Sequence, residues 1–241
     1  MDIKMTHKFD NFIKELEKLS IELSEQQFEQ FRIYYEMLVE KNKVMNLTAI
    51  TEWEEVLEKH FLDSISLIRA INLRENLSVM DMGTGAGFPG IPLKIVFPNL
   101  KVTLADSLNK RVLFLQEVID TLKLDGIEAV HGRAEDLARD NNYREKYDLC
   151  VSRAVANLST LSEYCLPFVK IGGRFVSYKS GACEEEVTAS KSAVFLLGGK
   201  TKDIVKFELG ESGRAFIVIE KVNGTPKIYP RKAGTPSKKP L

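Results

Sequence analysis

The sequence predicts an α/β fold: a mostly parallel sheet that ends in an antiparallel strand pair, behind an N-terminal helical cap. Three observations carry this. The first 75 or so residues place apolar side chains at helical intervals. From Leu77 short apolar runs alternate with helical segments, the pattern of a parallel sheet covered by helices. The last two runs, "KDIVKFEL" and "RAFIVIEKV", are separated only by "GESG". That link is too short for a crossover helix and makes the two strands a hairpin. The chain divides accordingly into a cap (1–75), a sheet domain (76–222) and a basic tail (223–241).

In the cap, "SEQQFEQFRIYYEMLVEKN" opens with Ser24 and Gln27 at capping-box spacing. Phe28, Phe31, Tyr35 and Leu38 then share a helical face. "EWEEVLEKHFLDSISLIRAI" predicts a second helix. Beyond it, "LSVMDM", "KVTLAD", "IEAVH", "YDLCVS" and "GRFVSYK" read as strands, with "NKRVLFLQEVIDTLK" and "LSTLSEYCLPFV" as helices between them. The tail "TPKIYPRKAGTPSKKPL" holds Lys227, Arg231, Lys232, Lys238 and Lys239 and no acid. It reads either as a solvated end or as a basic arm for phosphates.

Composition excludes some classes. The 34 basic and 34 acidic residues cancel, so bulk charge does not bind nucleic acid, and any such contact needs a local basic patch. Cys150, Cys165 and Cys183 form no CxxC pair, which suits a reducing compartment. The N-terminus lacks the apolar stretch of a secretory signal, and no run is long enough to span a membrane. A cytoplasmic, monomeric protein without a metal is expected.

The chemistry-bearing stretch is "MDMGTGAGFPGIP". Gly83, Gly85 and Gly87 follow a strand, but Phe88 stands where the dinucleotide pattern G-x-G-x-x-G needs its third glycine. Asp81, just ahead of the glycines, suits a cationic ligand better than a pyrophosphate. Asp106 closes the second strand where a ribose-binding acid belongs, and Ala134 and Glu135 follow the third. Each acid alone also reads as a helix cap. Together with the loop they resemble the S-adenosylmethionine site of class I (Rossmann-like) methyltransferases, whose sheet also ends in an antiparallel pair.

For the acceptor, "VSRAVANL" after the fourth strand lacks the Asn/Asp-Pro-Pro-aromatic turn of exocyclic-amine enzymes. Cys165 in "EYCLPF" reads as a core residue, not a nucleophile. A guanine N7 needs neither, because its in-plane lone pair attacks without first losing a proton, so alignment is the main requirement. A binding protein without turnover would lack a base too.

The strings "NKVMNLTAI", "HFLDS", "DMGTGAGFPGIP", "DSLNKR", "GRAEDLA", "VSRAVANL" and "YPRKAGTPSKKPL" together resemble the RsmG (GidB) family of bacterial small-subunit ribosomal RNA guanine-N7 methyltransferases. The resemblance implies S-adenosylmethionine as cofactor and a guanine of 16S ribosomal RNA, near the decoding centre, as acceptor. It implies a cofactor site of Gly83, Phe88, Ala134, Glu135 and Arg153, to which position and chemistry add Asp81 and Asp106, with Gly85 of the same glycine loop. Phe88 would pack on the cofactor, and Arg153 would face the cofactor carboxylate or the RNA. Lys43, Asn46, Arg231 and Lys232 are the RNA-binding candidates, with His60 and Asp63 in the same N-terminal motifs. The alternatives are a methyltransferase for another RNA, a small molecule or a protein, a non-catalytic nucleotide-binding module, and an NAD-linked oxidoreductase.

Overall fold

The computed structural model describes residues 9–153 and 156–241. A seven-stranded sheet forms the centre, with order β3-β2-β1-β4-β5-β7-β6. The strands are β1 (Ser78–Met82), β2 (Lys101–Asp106), β3 (Ile127–His131), β4 (Tyr147–Ser152), β5 (Val169–Ser180), β6 (Gly199–Leu209) and β7 (Ser212–Lys221). Strands β1 to β5 run parallel, and β7 lies antiparallel between β5 and β6. The "GESG" hairpin is as expected, with Leu209 opposite Ser212. Register places Met82 beside Ala105 and Asp106 beside His131. The loops after β1, β2 and β3 therefore emerge side by side at one sheet edge, where α/β sheets bind ligands.

In the cap, α1 (Asp10–Lys18) precedes the 21-residue α2 (Glu25–Met45). Ser24 and Gln27 form the expected capping box, which contributes about 1 kcal/mol. The buried stripe of α2 is Phe31, Tyr34 and Leu38, whereas Phe28 and Tyr35 are only half buried. Tyr34, not Tyr35, therefore faces the sheet domain. Its hydroxyl donates to the Ala86 carbonyl at 2.7 Å, tying cap to glycine loop.

The second predicted helix is not uniform. It runs as α3 (Trp53–Val56), a π-helical turn (Leu57–Leu62), α4 (Asp63–Ile65) and a 3-10 turn (Ser66–Arg69). A π-turn adds a residue per turn and often marks a functional site. Here it presents His60 and the Lys59 carbonyl toward the end of β4, where Arg153 donates to that carbonyl at 3.0 Å.

Alternation along β1 divides the core. Val79 joins the cluster built with α2, α5 (Gly90–Val96) and α6 (Asn109–Leu122), while Met80 and Met82 join the opposite cluster. That opposite cluster also holds α7 (Ala134–Leu137), α8 (Leu158–Cys165) and α9 (Glu184–Leu196). Cys165 is fully buried there, as a core residue.

The tail is seated on the protein, with a short α10 (Thr235–Lys238). Arg231 clamps Glu163 of α8 through its backbone N–H at 2.7 Å and its guanidinium at 2.7 Å.

Candidate functional site

A cavity of about 410 Å³ opens where β1, β2 and β3 end. Met82, Ala105, Ala134 and Leu161 supply apolar lining, and Asp106 and Glu135 supply carboxylates. Side chains alternate along a strand, so Met82 can line the cavity only if its neighbour Asp81 turns to the other face. Gly83, with φ +72°, carries the chain over the sheet edge.

Neither acid serves as the N-cap of the helix beside it. The N-cap positions of α6 and α7 are Leu108 and Arg133, and neither makes a side-chain cap bond. Asp106 instead accepts the N–H of Leu108 at 2.9 Å and of Gly85 at 3.0 Å, bracing the glycine loop against β2. Arg111 approaches it at 3.4 Å. Glu135 is 5% exposed and accepts the Gly234 N–H at 2.8 Å. An acceptor-rich rim on an apolar floor, of ordinary ligand-site volume, fits a nucleoside, whose hydroxyl and amino groups donate. A Cβ at Gly85 would meet nothing within 4 Å, so the loop leaves open space there.

A second cavity of about 700 Å³ lies on the cap side of the same sheet edge. It is lined by His60, Arg153, Lys179 and Arg214, together with Glu58 and Glu186. Ala156 lines both cavities. Its carbonyl accepts from Lys179 at 2.7 Å, and Lys179 is held by Glu186 at 2.7 Å. Next along, Asn157 caps α8 by accepting the Thr160 N–H at 2.9 Å. Ala156 is thus held through its carbonyl, and Asn157 through its cap bond.

Arg153 lines the larger cavity. Its guanidinium reaches Asp63 at 3.0 Å and His60 Nδ1 at 3.2 Å, and lies 5.0 Å over the Phe88 ring. His60 stacks on Phe88 with centroids 4.6 Å apart. His60 Nδ1 lies 3.2 Å from both the Arg153 guanidinium and the Lys59 carbonyl, and Nε2 pairs with Thr48 Oγ1 at 2.8 Å. Burial, and then Arg153, pushes the His60 pKa down to about 4, so the imidazole is neutral at pH 7. Asp63, 1% exposed, also accepts from Arg214 at 2.8 Å.

The family model described as rRNA small subunit methyltransferase G (GidB) matches residues 27–215. The ribosomal RNA small subunit methyltransferase G of Lachnoclostridium phytofermentans is 54% identical over 232 residues, 95% of this chain and 96% of that one. Its namesake from Staphylococcus saprophyticus is 51% identical over 230 residues, 95% and 96% of the two chains. The chain belongs to the GidB family. Among solved structures, TrmN from Thermus thermophilus aligns with a TM-score of 0.53 at 18% identity, covering 69% of this chain and 53% of that one. A SAM-dependent methyltransferase from Aquifex aeolicus aligns at 0.53 and 20% identity, covering 75% and 97%. These two likenesses concern the fold alone, which is the Rossmann-like methyltransferase fold.

Within this GidB protein the predicted residues separate into groups. Gly83, Asp106, Ala134 and Glu135 line the smaller cavity, and Arg153 lines the larger. Gly85 reaches the cleft through Asp106. Phe88, expected against a cofactor, is 6% exposed and packs under Arg153 and His60, outside the lining of the smaller cavity. Asp81 is a correction. Instead of facing a cationic ligand, it is turned under the glycine loop, where Oδ2 accepts from Thr84 Oγ1 and the Gly90 N–H, each at 2.7 Å. Burial raises its pKa to about 7.

On the RNA-candidate side, Lys43 is exposed and paired with Glu40, and Asn46 is the left-handed C-cap of α2 with φ 49°, a conformation asparagine tolerates. Lys232 is exposed, while Arg231 is committed to Glu163. Sequence reasoning passed over Tyr34, Glu163, Lys179 and Arg214, whose roles come from pairings across 52, 68, 23 and 151 positions. Among the described residues no three or more His, Cys, Asp and Glu gather as a metal site, and no helix is long and apolar enough to cross a membrane.

Proposed function

We propose that the protein methylates N7 of a guanine in small-subunit (16S) ribosomal RNA, near the decoding centre, using S-adenosylmethionine held in the smaller cavity. The observation that carries this is the shared wall at Ala156, which sets a nucleoside-sized cleft against a second cavity rich in cationic side chains. Family membership supports the same reaction.

When bound, S-adenosylmethionine supplies an electrophilic methyl group. Asp106 and Glu135 offer acceptors for the nucleoside, and Gly83 and Gly85 let it approach the backbone. Ala134 would offer apolar surface to its adenine ring. Phe88 acts at one remove, as the surface that holds Arg153 and His60 in place. The N7 lone pair would take the methyl in the plane of the ring as the sulfonium S–CH3 bond breaks and S-adenosylhomocysteine leaves, with no proton lost first. The chain's task is therefore alignment and exclusion of water, which proximity alone makes worth many orders of magnitude in rate. Arg153 and Arg214 flank the acceptor cavity as fixed positive charges, and neutral His60 keeps Arg153 oriented. Outside it, Lys43, Asn46 and Lys232 contact phosphates or base edges of the RNA. Arg231 serves the RNA by holding the segment that carries Lys232. This reading places the protein in the cytoplasm as a monomer that meets the small ribosomal subunit.

The test is incubation with methyl-labelled S-adenosylmethionine and small subunits from a strain lacking the modification. Label in one 16S guanine, sensitive to alkaline ring opening as N7-methylguanosine is, is expected. Absence of label from the RNA would sink the assignment.

A further inference from the structure

The C-terminal segment is tied to the elements that build the cleft by a series of polar bonds, beside a few apolar contacts at Tyr229, Pro230, Pro236 and Leu241. Arg144, just beyond α7, donates to the carbonyls of Thr225 at 2.8 Å and Tyr229 at 3.0 Å. Arg139 donates to the Pro230 carbonyl at 2.7 Å. Arg231 then clamps the fully buried Glu163 of α8, and Thr160 of the same helix donates to the Pro236 carbonyl at 3.0 Å. Between those anchors Gly234 gives its N–H to Glu135 of α7 at 2.8 Å. The segment crosses from α7 to α8, and Gly234 and Ser237 line the smaller cavity.

We propose that residues 225–241 form a strap that is the closing wall of the S-adenosyl site, and that docking of the strap and binding of the ligand are linked through Glu135. The proposal rests on the reading of that cavity as the S-adenosyl site. Three physical points carry it. Glu135 is almost completely buried, and one of its oxygens is already oriented by the strap, so the strap fixes the direction in which the other is presented. The strap's apolar contact is limited to Pro230 and Pro236, which are buried, and Tyr229 and Leu241, which are half buried against the core, while Ile228, Lys232, Lys238 and Lys239 are exposed. Segments held by polar bonds at the surface open locally at a small fraction of the cost of global unfolding. A ligand against Gly234 and Ser237 must either wait for that opening or be retained by it. Any such coupling is reciprocal: the factor by which the ligand favours the docked strap equals the factor by which losing the strap weakens the ligand.

The test uses the full chain and S-adenosylhomocysteine, with two readouts. In native buffer, trypsin cleavage after Lys232 reports local opening of the strap, followed by mass spectrometry with and without ligand. Calorimetric titration gives the ligand Kd. Saturating S-adenosylhomocysteine is expected to slow cleavage after Lys232 by about 5-fold or more, the lower end of ordinary couplings. Gly234→Pro removes the N–H that Glu135 accepts and forbids the φ of +79° found there. It is expected to raise Kd by a similar factor while the melting temperature of the ligand-free protein stays near that of wild type. A chain ending at Arg231 keeps the Glu163 clamp, loses Gly234 and Ser237, and is expected to show the same weakening. Ligand binding that leaves cleavage unchanged, or wild-type Kd in both variants, overturns the strap proposal alone. No binding of S-adenosylhomocysteine by the wild-type chain sinks the reading of the cavity and the strap with it.

Discussion

Asp63 of the cap and Arg214 of β7 meet at 2.8 Å across 151 positions of sequence, and the second oxygen of the same carboxylate holds Arg153 at 3.0 Å. One buried carboxylate thereby sets the position of two cations at the acceptor cavity. Asp63→Asn removes the charge and keeps the shape. Both arginine side chains retain some solvent exposure, 17% and 29%, so neither is stranded in a dry interior. The expected loss of stability is about 1–2 kcal/mol, below the cost of isolating a fully buried charge. Methyl transfer to small subunits should fall by about 10-fold or more, since misplacement of roughly an ångström at a reacting centre has that scale of effect. Denaturant titration and single-turnover kinetics on the same variant separate the two effects. Unchanged turnover would show that Asp63 serves the fold alone.

His60 and Asp81 should impose opposite pH dependences on stability. His60 in the folded chain lies at about 4 because burial, followed by Arg153, disfavours the imidazolium. Between pH 6.5 and 4 the unfolded chain binds a proton that the folded chain refuses, so His60 makes stability fall as the pH falls. Asp81 lies at about 7 because burial disfavours its carboxylate. From pH 3.8 to 7 the folded chain keeps a proton that the unfolded chain releases, so its contribution is lost as pH rises. Each contribution is on the order of 3 kcal/mol, and the two oppose each other in wild type. Relative to wild type, His60→Gln should make stability fall more steeply with rising pH, and Asp81→Asn should make it rise. Urea titrations at half-unit intervals measure this, and parallel curves for the three proteins would contradict it.

Much of the frame is readable from the sequence because its signals are local. The capping box at Ser24, the strand–helix alternation and the "GESG" hairpin each depend on a few adjacent residues. The cleft acids were readable too, since strand ends in a parallel sheet come together by topology. The burial of Tyr34 in place of Tyr35 was less so, because the two differ by one helical position and the glycine loop that receives Tyr34 is remote in sequence. Asp81 is different: its direction was implicit in strand alternation, since Met80 and Met82 must share a face. Arg214 and Glu163 carry no local signal at all. An arginine in a strand and a glutamate in a helix become structural only when their partners arrive from elsewhere in the chain.

Gly90 lies outside the glycine register that the loop suggests, yet it is as constrained as the others. A Cβ there would run into Leu104 and come within 2.8 Å of Asp81 Oδ2. Gly90→Ala must therefore displace the carboxylate that joins Thr84 to the start of α5. The expected cost is about 1–3 kcal/mol, the range for overpacking a filled interior. Gly85→Ala meets no atom and carries only the strain of φ +64°, roughly 1 kcal/mol. A larger loss in thermal denaturation for Gly85→Ala than for Gly90→Ala would reverse this assignment of roles within the loop.

Arg231 and Lys232 are neighbours that should fail in different assays. Arg231→Gln leaves Glu163, 0% exposed, without its cation, and removing one member of a buried pair costs about 3 kcal/mol. Its primary signature is a lowered melting temperature, with loss of RNA affinity following from the displaced tail. Lys232 is exposed, so Lys232→Ala should melt like wild type. If Lys232 holds one phosphate, the slope of log affinity against log salt should shrink by about 0.7–0.9 in that variant. Filter binding to small subunits over a series of potassium chloride concentrations gives that slope. A reduced slope in Lys232→Ala with unchanged melting assigns the phosphate contact to Lys232 and the clamp to Arg231. An unchanged slope removes Lys232 from the RNA interface.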